Sequence, residues 1–172
     1  MKLMYNLGML KTINSTMTHL GKVYEIIYHD ADSFDNLDPK KCTQAYGVCF
    51  EGDRMLISHG GKKIKAWGLV GGTIKPEETF EETLKREVTE ESNMRVLKCK
   101  PVGYQEVFDG GKSVFQLRYV CLIKPLGPFE KDPAGGVIEI KLINPKDYKK
   151  YFDWGIIGKR IIERSLELKN RL

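Results

Sequence analysis

Apolar and polar positions along the chain follow two rhythms, one of strands and one of helices. Residues 23 to 28, VYEIIY, are β-branched and aromatic and predict a strand. Asp30 to Lys41 is polar and carries Asp35, Asn36, Asp38 and Pro39, so it reads as a loop. Residues 43 to 50 and 54 to 58 predict a hairpin about Glu51-Gly52-Asp53, followed by a glycine- and lysine-rich loop from His59 to Lys65. Residues 101 to 108 and 113 to 123 flank Asp109-Gly110-Gly111-Lys112, a second hairpin signal, and VIEIKLI at 137 to 143 predicts another strand.

The longer rhythm predicts helices. Residues 77 to 92 read as one helix: Pro76 stands just before it, acidic residues crowd its first turn, and Phe80, Leu84 and Val88 form an inward stripe. A short helix is expected near 146 to 152, after Asn144-Pro145. A terminal one is expected over Ile156 to Leu168, where basic residues separate apolar ones. Strands, a helix, more strands and a last helix predict an α/β/α sandwich: a mixed, largely antiparallel sheet with helices on both faces.

A length of 172 residues suits a single domain over residues 1–172, with residues 1–20 read as an N-terminal extension. That extension does not read as a signal peptide, because Asn6, Lys11 and Asn14 interrupt its apolar residues. No run approaches the roughly 20 apolar residues of a membrane span. The four cysteines, Cys42, Cys49, Cys99 and Cys121, lack the paired spacing of a zinc or redox motif and read as reduced thiols. A cytoplasmic protein is expected.

Charge is unevenly placed. Residues 77 to 91 hold seven Glu against Lys85 and Arg86, a net −5 inside a chain of net +5. On charge alone a solvated helix face is the favoured reading. Spacing changes that. On a helix Glu87, Glu90 and Glu91 fall at i, i+3 and i+4, so their carboxylates share one face and repel, by roughly 0.2–0.5 kcal/mol per pair. A hard divalent cation supplies a reason to keep them there, and the glycine pair Gly71-Gly72 allows close backbone approach.

The stretch from Gly72 resembles the Nudix box, G-x5-E-x7-R-E-U-x-E-E-x-G-U with U aliphatic. It matches at Gly72, Glu78, Arg86, Glu87, Val88, Glu90, Glu91 and Met94. A chance match of the six invariant positions is on the order of one in a million per window at ordinary residue frequencies. The last glycine of the box is Asn93 here, the next most tolerant residue of a left-handed backbone. The run before the helix, Val70-Gly71-Gly72 through Lys75-Pro76-Glu77-Glu78, also departs from the family's usual Pro-Gly-Gly and Glu-x-Gly-Glu.

The resemblance implies a hydrolase that uses Mg2+ or Mn2+ to cleave the diphosphate linkage of a small nucleotide-like substrate. Glu87, Glu90 and Glu91 would be metal ligands with the carbonyl of Gly72, and Glu90 or Glu91 the base. Arg86 would act in catalysis, with Glu78 as its ion-pair partner. For a carboxylate outside the box, Glu139 is the first candidate and Glu106 the second. Arg118, Lys63 and Tyr46 are candidates for substrate contact, while His19, His29 and His59 show no ligand spacing.

The alternative reading is a Nudix-fold module that binds a nucleotide without turnover. Retention of every box carboxylate favours the enzyme. Isoprenoid-diphosphate isomerisation needs a positioned cysteine that is not found here, and the substrate signatures of ADP-ribose, dinucleoside polyphosphate and coenzyme A hydrolases do not match. Nucleoside triphosphates, nucleotide sugars and capped RNA ends stay open as substrates. The basic C-terminal helix reads as packed rather than as a nucleic-acid surface, so nucleic acid is a minor expectation. The fold often forms homodimers.

Overall fold

The computed structural model describes residues 9–19, 21–61 and 65–172. Lys62 and Lys63, the second a candidate substrate contact, lie outside them. The strands are β1 (Thr12–His19), β2 (Lys22–Asp30), β3 (Cys42–Glu51), β4 (Arg54–Gly60), β5 (Trp67–Gly68), β6 (Val70–Thr73), β7 (Met94–Asp109), β8 (Lys112–Pro125) and β9 (Val137–Ile143). Helix α1 spans Phe80–Ser92 and helix α2 spans Gly155–Lys169. Short 3-10 turns at Pro39–Lys41 and Pro145–Lys150 each follow an Asx cap, Asp38 and Asn144.

The sheet runs β1-β2-β7-β8-β3-β4-β5, with β6 added to β3 and β9 to β4. Only β3 and β8 pair in parallel among these strands; the other pairs are antiparallel. β3 divides its partners along its length. Its C-terminal end meets β4 at Phe50 and Glu51, while Gln44 to Gly47 meet β6.

The period of two along each strand sends alternate side chains to opposite faces. Val48, Phe50 and Val120 pack with Tyr28, Met55, Ile57 and the inner residues of α2, Ile157, Ile161 and Ile162. Ala45, Cys49, Leu117, Tyr119 and Cys121 pack with Leu84 and Val88 of α1. The α/β/α sandwich expected from element order is the observed one.

Several boundaries differ from expectation. Helix α1 begins at Phe80 rather than residue 77, because Thr79 caps it. The Thr79 side chain accepts from Glu82 N–H, and Glu82 accepts from Thr79 N–H at 2.8 Å. This reciprocal capping box satisfies two otherwise orphan donors. At the other end Asn93 adopts φ 53° and ψ 38°, the left-handed cap that its type allows. β7 then starts at once, so Met94 to Lys100 lengthen the strand that the sequence predicts over 101 to 108. Thr12–His19 of the N-terminal stretch pairs throughout with β2 as an edge strand, although its side chains are largely exposed.

One buried ion-pair group ties α2 to the sheet. The Asp30 carboxylate, fully buried at the end of β2, accepts from Arg160 Nη2 at 2.6 Å, and Arg164 Nε lies 3.8 Å away. Arg164 also donates to the carbonyl of Val102 at 2.8 Å and to Asp32 at 2.6 Å. No described helix is long and apolar enough to cross a membrane.

Candidate active site

The carboxylate face of α1 is held against β6. Leu84 and Val88, both fully buried, clamp the helix to the sheet, and Glu87 and Glu91 meet the glycine pair. Gly71 N–H donates to Glu91 Oε2 at 2.9 Å. A Cβ on Gly72 would stand 2.7 Å from the Glu87 carboxylate, so only glycine lets the strand come this close. Gly71 has φ +145°, and a Cβ there would collide with the Ala45 carbonyl at 2.2 Å. Both glycines are therefore required by geometry, one by approach and one by conformation.

Arg86 organises the charges. Its Nε and Nη2 donate to the two oxygens of Glu78 at 2.6 and 2.9 Å, a bidentate pair. Nη1 donates to Glu87 at 2.7 Å and to Glu90 at 3.3 Å, and Nη2 also reaches the Thr73 carbonyl at 3.2 Å. Glu78 lies ahead of the helix, and it can meet Arg86 directly because the loop folds back. Thr83 Oγ1 donates to it at 2.7 Å. The hydrogen bond from Arg86 pulls the Glu78 carboxyl down to about 2, so it stays charged.

Glu91 and Glu87 experience the reverse. Burial pushes Glu91 up to about 8, and burial also raises Glu87. Each is raised further by its neighbours, among them Asp132. Asp132 comes from the loop between β8 and β9 and is buried. Its carboxylate accepts from the N–H groups of Ala134, Gly136 and Val137 at 2.8, 2.8 and 2.9 Å. In the sequence PFEKDPAGG looks like an ordinary polar turn, and the Asp-Pro-Ala-Gly-Gly run is the one signal that points to Asp132.

The two carboxylates expected from outside the box make other contacts. Glu139 is exposed on β9 opposite His59 and pairs with Lys141 at 3.3 Å. Glu106 accepts from Ser113 Oγ at 2.6 Å on the β7–β8 hairpin. Neither is hydrogen-bonded to the α1 cluster. Tyr46 does adjoin it, and Arg118 lies behind Tyr46. Tyr46 lies opposite Gly71 in the β3–β6 pairing, and the Arg118 guanidinium sits 4.8 Å from the Tyr46 ring centroid.

The donor set fits a hard divalent cation. Three carboxylates on one helical turn, two of them driven toward the neutral form, sit beside a backbone that only glycine could form. As the side chains stand, Arg86 Nη1 bridges Glu87 and Glu90, and no three acidic, His or Cys groups among the described residues already converge as a metal cage. Glu87, Glu90 and Glu91 are the side chains that would hold such a cation, while the bidentate pair keeps Arg86 on Glu78.

A raised carboxyl has a stability signature. Between about 4.5, its ordinary value, and about 8, folded Glu91 holds a proton that the unfolded chain has lost. Stability from this group is therefore complete below pH 4.5 and falls as pH rises through 8. In metal-free protein, thermal unfolding of wild type minus that of Glu91→Gln should decline across this window, and a divalent cation should flatten the decline. A difference that is constant with pH would contradict the burial assigned to Glu91.

An α/β/α domain with a helix-borne acidic site facing a glycine strand is the class that these features define, and comparison with known proteins agrees. The Bacillus subtilis pyrophosphohydrolase BsRppH, solved in mutant form, is similar over 84% of this chain and 92% of its own, with 17% identity and a TM-score of 0.65. A Nudix hydrolase from Nitrosomonas europaea is similar over 74% and 90%, with 16% identity and a TM-score of 0.61. The Nudix domain of Shewanella oneidensis NrtR, solved with ADP-ribose, is similar over 77% and 93%, with 20% identity and a TM-score of 0.58. No curated protein sequence matches. The model of the NUDIX domain matches residues 42–164, and the chain belongs to the Nudix family.

Proposed function

We propose that the protein is a metal-dependent hydrolase that cleaves the diphosphate linkage of a nucleoside diphosphate joined to a further group. The observation that carries this reading is the face formed by Glu87, Glu90 and Glu91 against Gly71 and Gly72, with every box carboxylate present. A bound Mg2+ or Mn2+ would supply Lewis-acid polarisation and neutralise phosphate charge at this face. Glu87, Glu90, Glu91 and the Gly72 carbonyl are its proposed ligands.

The residues of the chain divide the remaining work. Arg86 fixes Glu78 and leaves the helix carboxylates aligned along one side. The Gly71 N–H holds one oxygen of Glu91, so the other can turn toward the reacting centre. Glu90 or Glu91 accepts the proton of the attacking water as the new O–P bond forms. The bridging P–O bond breaks, and the second phosphate departs as an anion. Asp132 fixes the shape of its own loop through three backbone N–H groups. Glu139, exposed and paired with Lys141, has no place in this scheme.

The test is phosphate release from a panel of nucleoside triphosphates, nucleotide sugars and capped RNA ends with Mg2+ or Mn2+. Turnover of at least one class that chelation abolishes is the expected result. An inert panel, with nucleotide binding intact by calorimetry, would replace this reading with the non-hydrolytic binding module.

A further inference from the structure

Three arginines are buried in the described structure away from the α1 cluster: Arg118, Arg160 and Arg164. Arg160 and Arg164 stand against the Asp30 carboxylate. Arg118, 4% exposed, has no carboxylate within ion-pair distance among the described residues. Its partners are all neutral. Nη2 donates to the amide oxygens of Gln105 and Gln116 at 2.6 and 3.1 Å, and Nη1 to the Leu117 carbonyl at 3.1 Å. Nε is buried with no hydrogen-bond partner among the described residues. Beneath the guanidinium lies the Tyr46 ring.

A buried guanidinium in neutral company is costly, because desolvation is compensated only by weaker bonds and a ring face. Its surroundings show where compensation could enter. Arg118 is on β8, between Gly103 of β7 and Tyr46 of β3. The next outward pair on the same face is Gln116 and Gln44, both half-buried, with Gln116 Nε2 donating to Gln44 Oε1 at 2.7 Å. These two flexible amides separate the arginine from the open end of the sheet. On its other flank Tyr46 packs on Gly71, whose N–H holds Glu91. The arginine is thus one residue removed from the candidate catalytic face.

We propose that Arg118 is a specificity-determining residue that receives a phosphate group of the substrate, one phosphate oxygen replacing the Gln116 amide oxygen. The exchange turns a neutral hydrogen bond into a charge-assisted one and gives the buried cation its missing counter-charge. The hydrolase reading enters only as the source of that phosphate; anion binding needs no turnover.

The test uses metal-free wild-type protein labelled with 15N-arginine. The Arg118 Nε–H resonance is assigned by its absence in Arg118→Lys. Pyrophosphate, a nucleoside monophosphate and the matching nucleoside are then titrated in turn. The expected result is a saturable shift with pyrophosphate or the monophosphate and none with the nucleoside. By calorimetry, anion affinity should fall at least tenfold in Arg118→Gln and persist in Gln116→Ala. A stronger response to the monophosphate assigns the subsite to the nucleotide's own phosphate, and a stronger response to pyrophosphate assigns it to the departing phosphate group. The proposal is overturned if the resonance stays fixed while anion binds, if no anion binds, or if the nucleoside alone moves it. Should Arg118→Gln fail to fold, the wild-type titration decides. A wild type that binds pyrophosphate at Arg118 yet hydrolyses nothing would overturn the hydrolase reading and leave this one standing.

Discussion

Glu91→Gln is expected to lower metal-dependent hydrolysis by about 10^3-fold or more while leaving the fold intact. Glutamine is nearly isosteric and retains an oxygen for the Gly71 N–H, so the β6–α1 contact survives. What is lost is an anionic oxygen ligand and proton acceptor on the face that would hold the cation. A factor of 10^3 corresponds to about 4 kcal/mol of transition-state stabilisation, the scale found for removing one preorganised group. Glu81→Gln is the matched control. Glu81 lies on the same helix, exposed and paired with Lys85, and does not meet the glycine strand. Its replacement should change the rate by less than about twofold, since surface pairs of this kind contribute little. Equal losses in the two variants would mean that overall helix charge, rather than the inner face, drives the reaction.

The second large effect is on stability. Arg160→Met removes the 2.6 Å partner of a fully buried carboxylate and leaves Asp30 facing only Arg164, at 3.8 Å, and the Lys11 N–H, at 2.9 Å. Breaking a buried pair from one side costs about 3–5 kcal/mol, because the remaining charge has no water and only a distant guanidinium and one N–H to stabilise it. At roughly 2–4 °C per kcal/mol for a domain of this size, Tm should fall by about 6–20 °C. Removing Asp30 as well, in Asp30→Leu with Arg160→Met, should recover part of that loss. Thermal unfolding followed by circular dichroism measures both. A single variant that melts with wild type would show that Arg164 alone satisfies Asp30.

How much was legible in the sequence follows from what each element needs. Helix α1 was legible because its inward stripe and first-turn acids are local features; its true start was missed because Thr79 acts through a reciprocal hydrogen bond rather than a pattern. β1 was not legible, since an edge strand with exposed side chains shows no apolar alternation and owes its conformation to β2. β6 was hidden by the glycines that make it useful: Val-Gly-Gly-Thr has poor strand propensity, and pairing with β3 decides its form. The site divided in the same way. Glu87, Glu90 and Glu91 were visible through helical spacing. Asp132 was not, because a distant loop brings it there. Glu139 stands out in the sequence as a polar residue in an apolar strand, and in the structure it is exposed and paired with Lys141.

The measurement that tests the central claim most directly is Mn2+ binding to the substrate-free protein, followed by electron paramagnetic resonance. The account predicts that wild type removes free Mn2+ saturably, and that the double variant Glu87→Gln with Glu91→Gln, folded by circular dichroism, does not. Mn2+ bound equally well by both proteins would place the cation elsewhere and contradict the role given to the carboxylate face of α1.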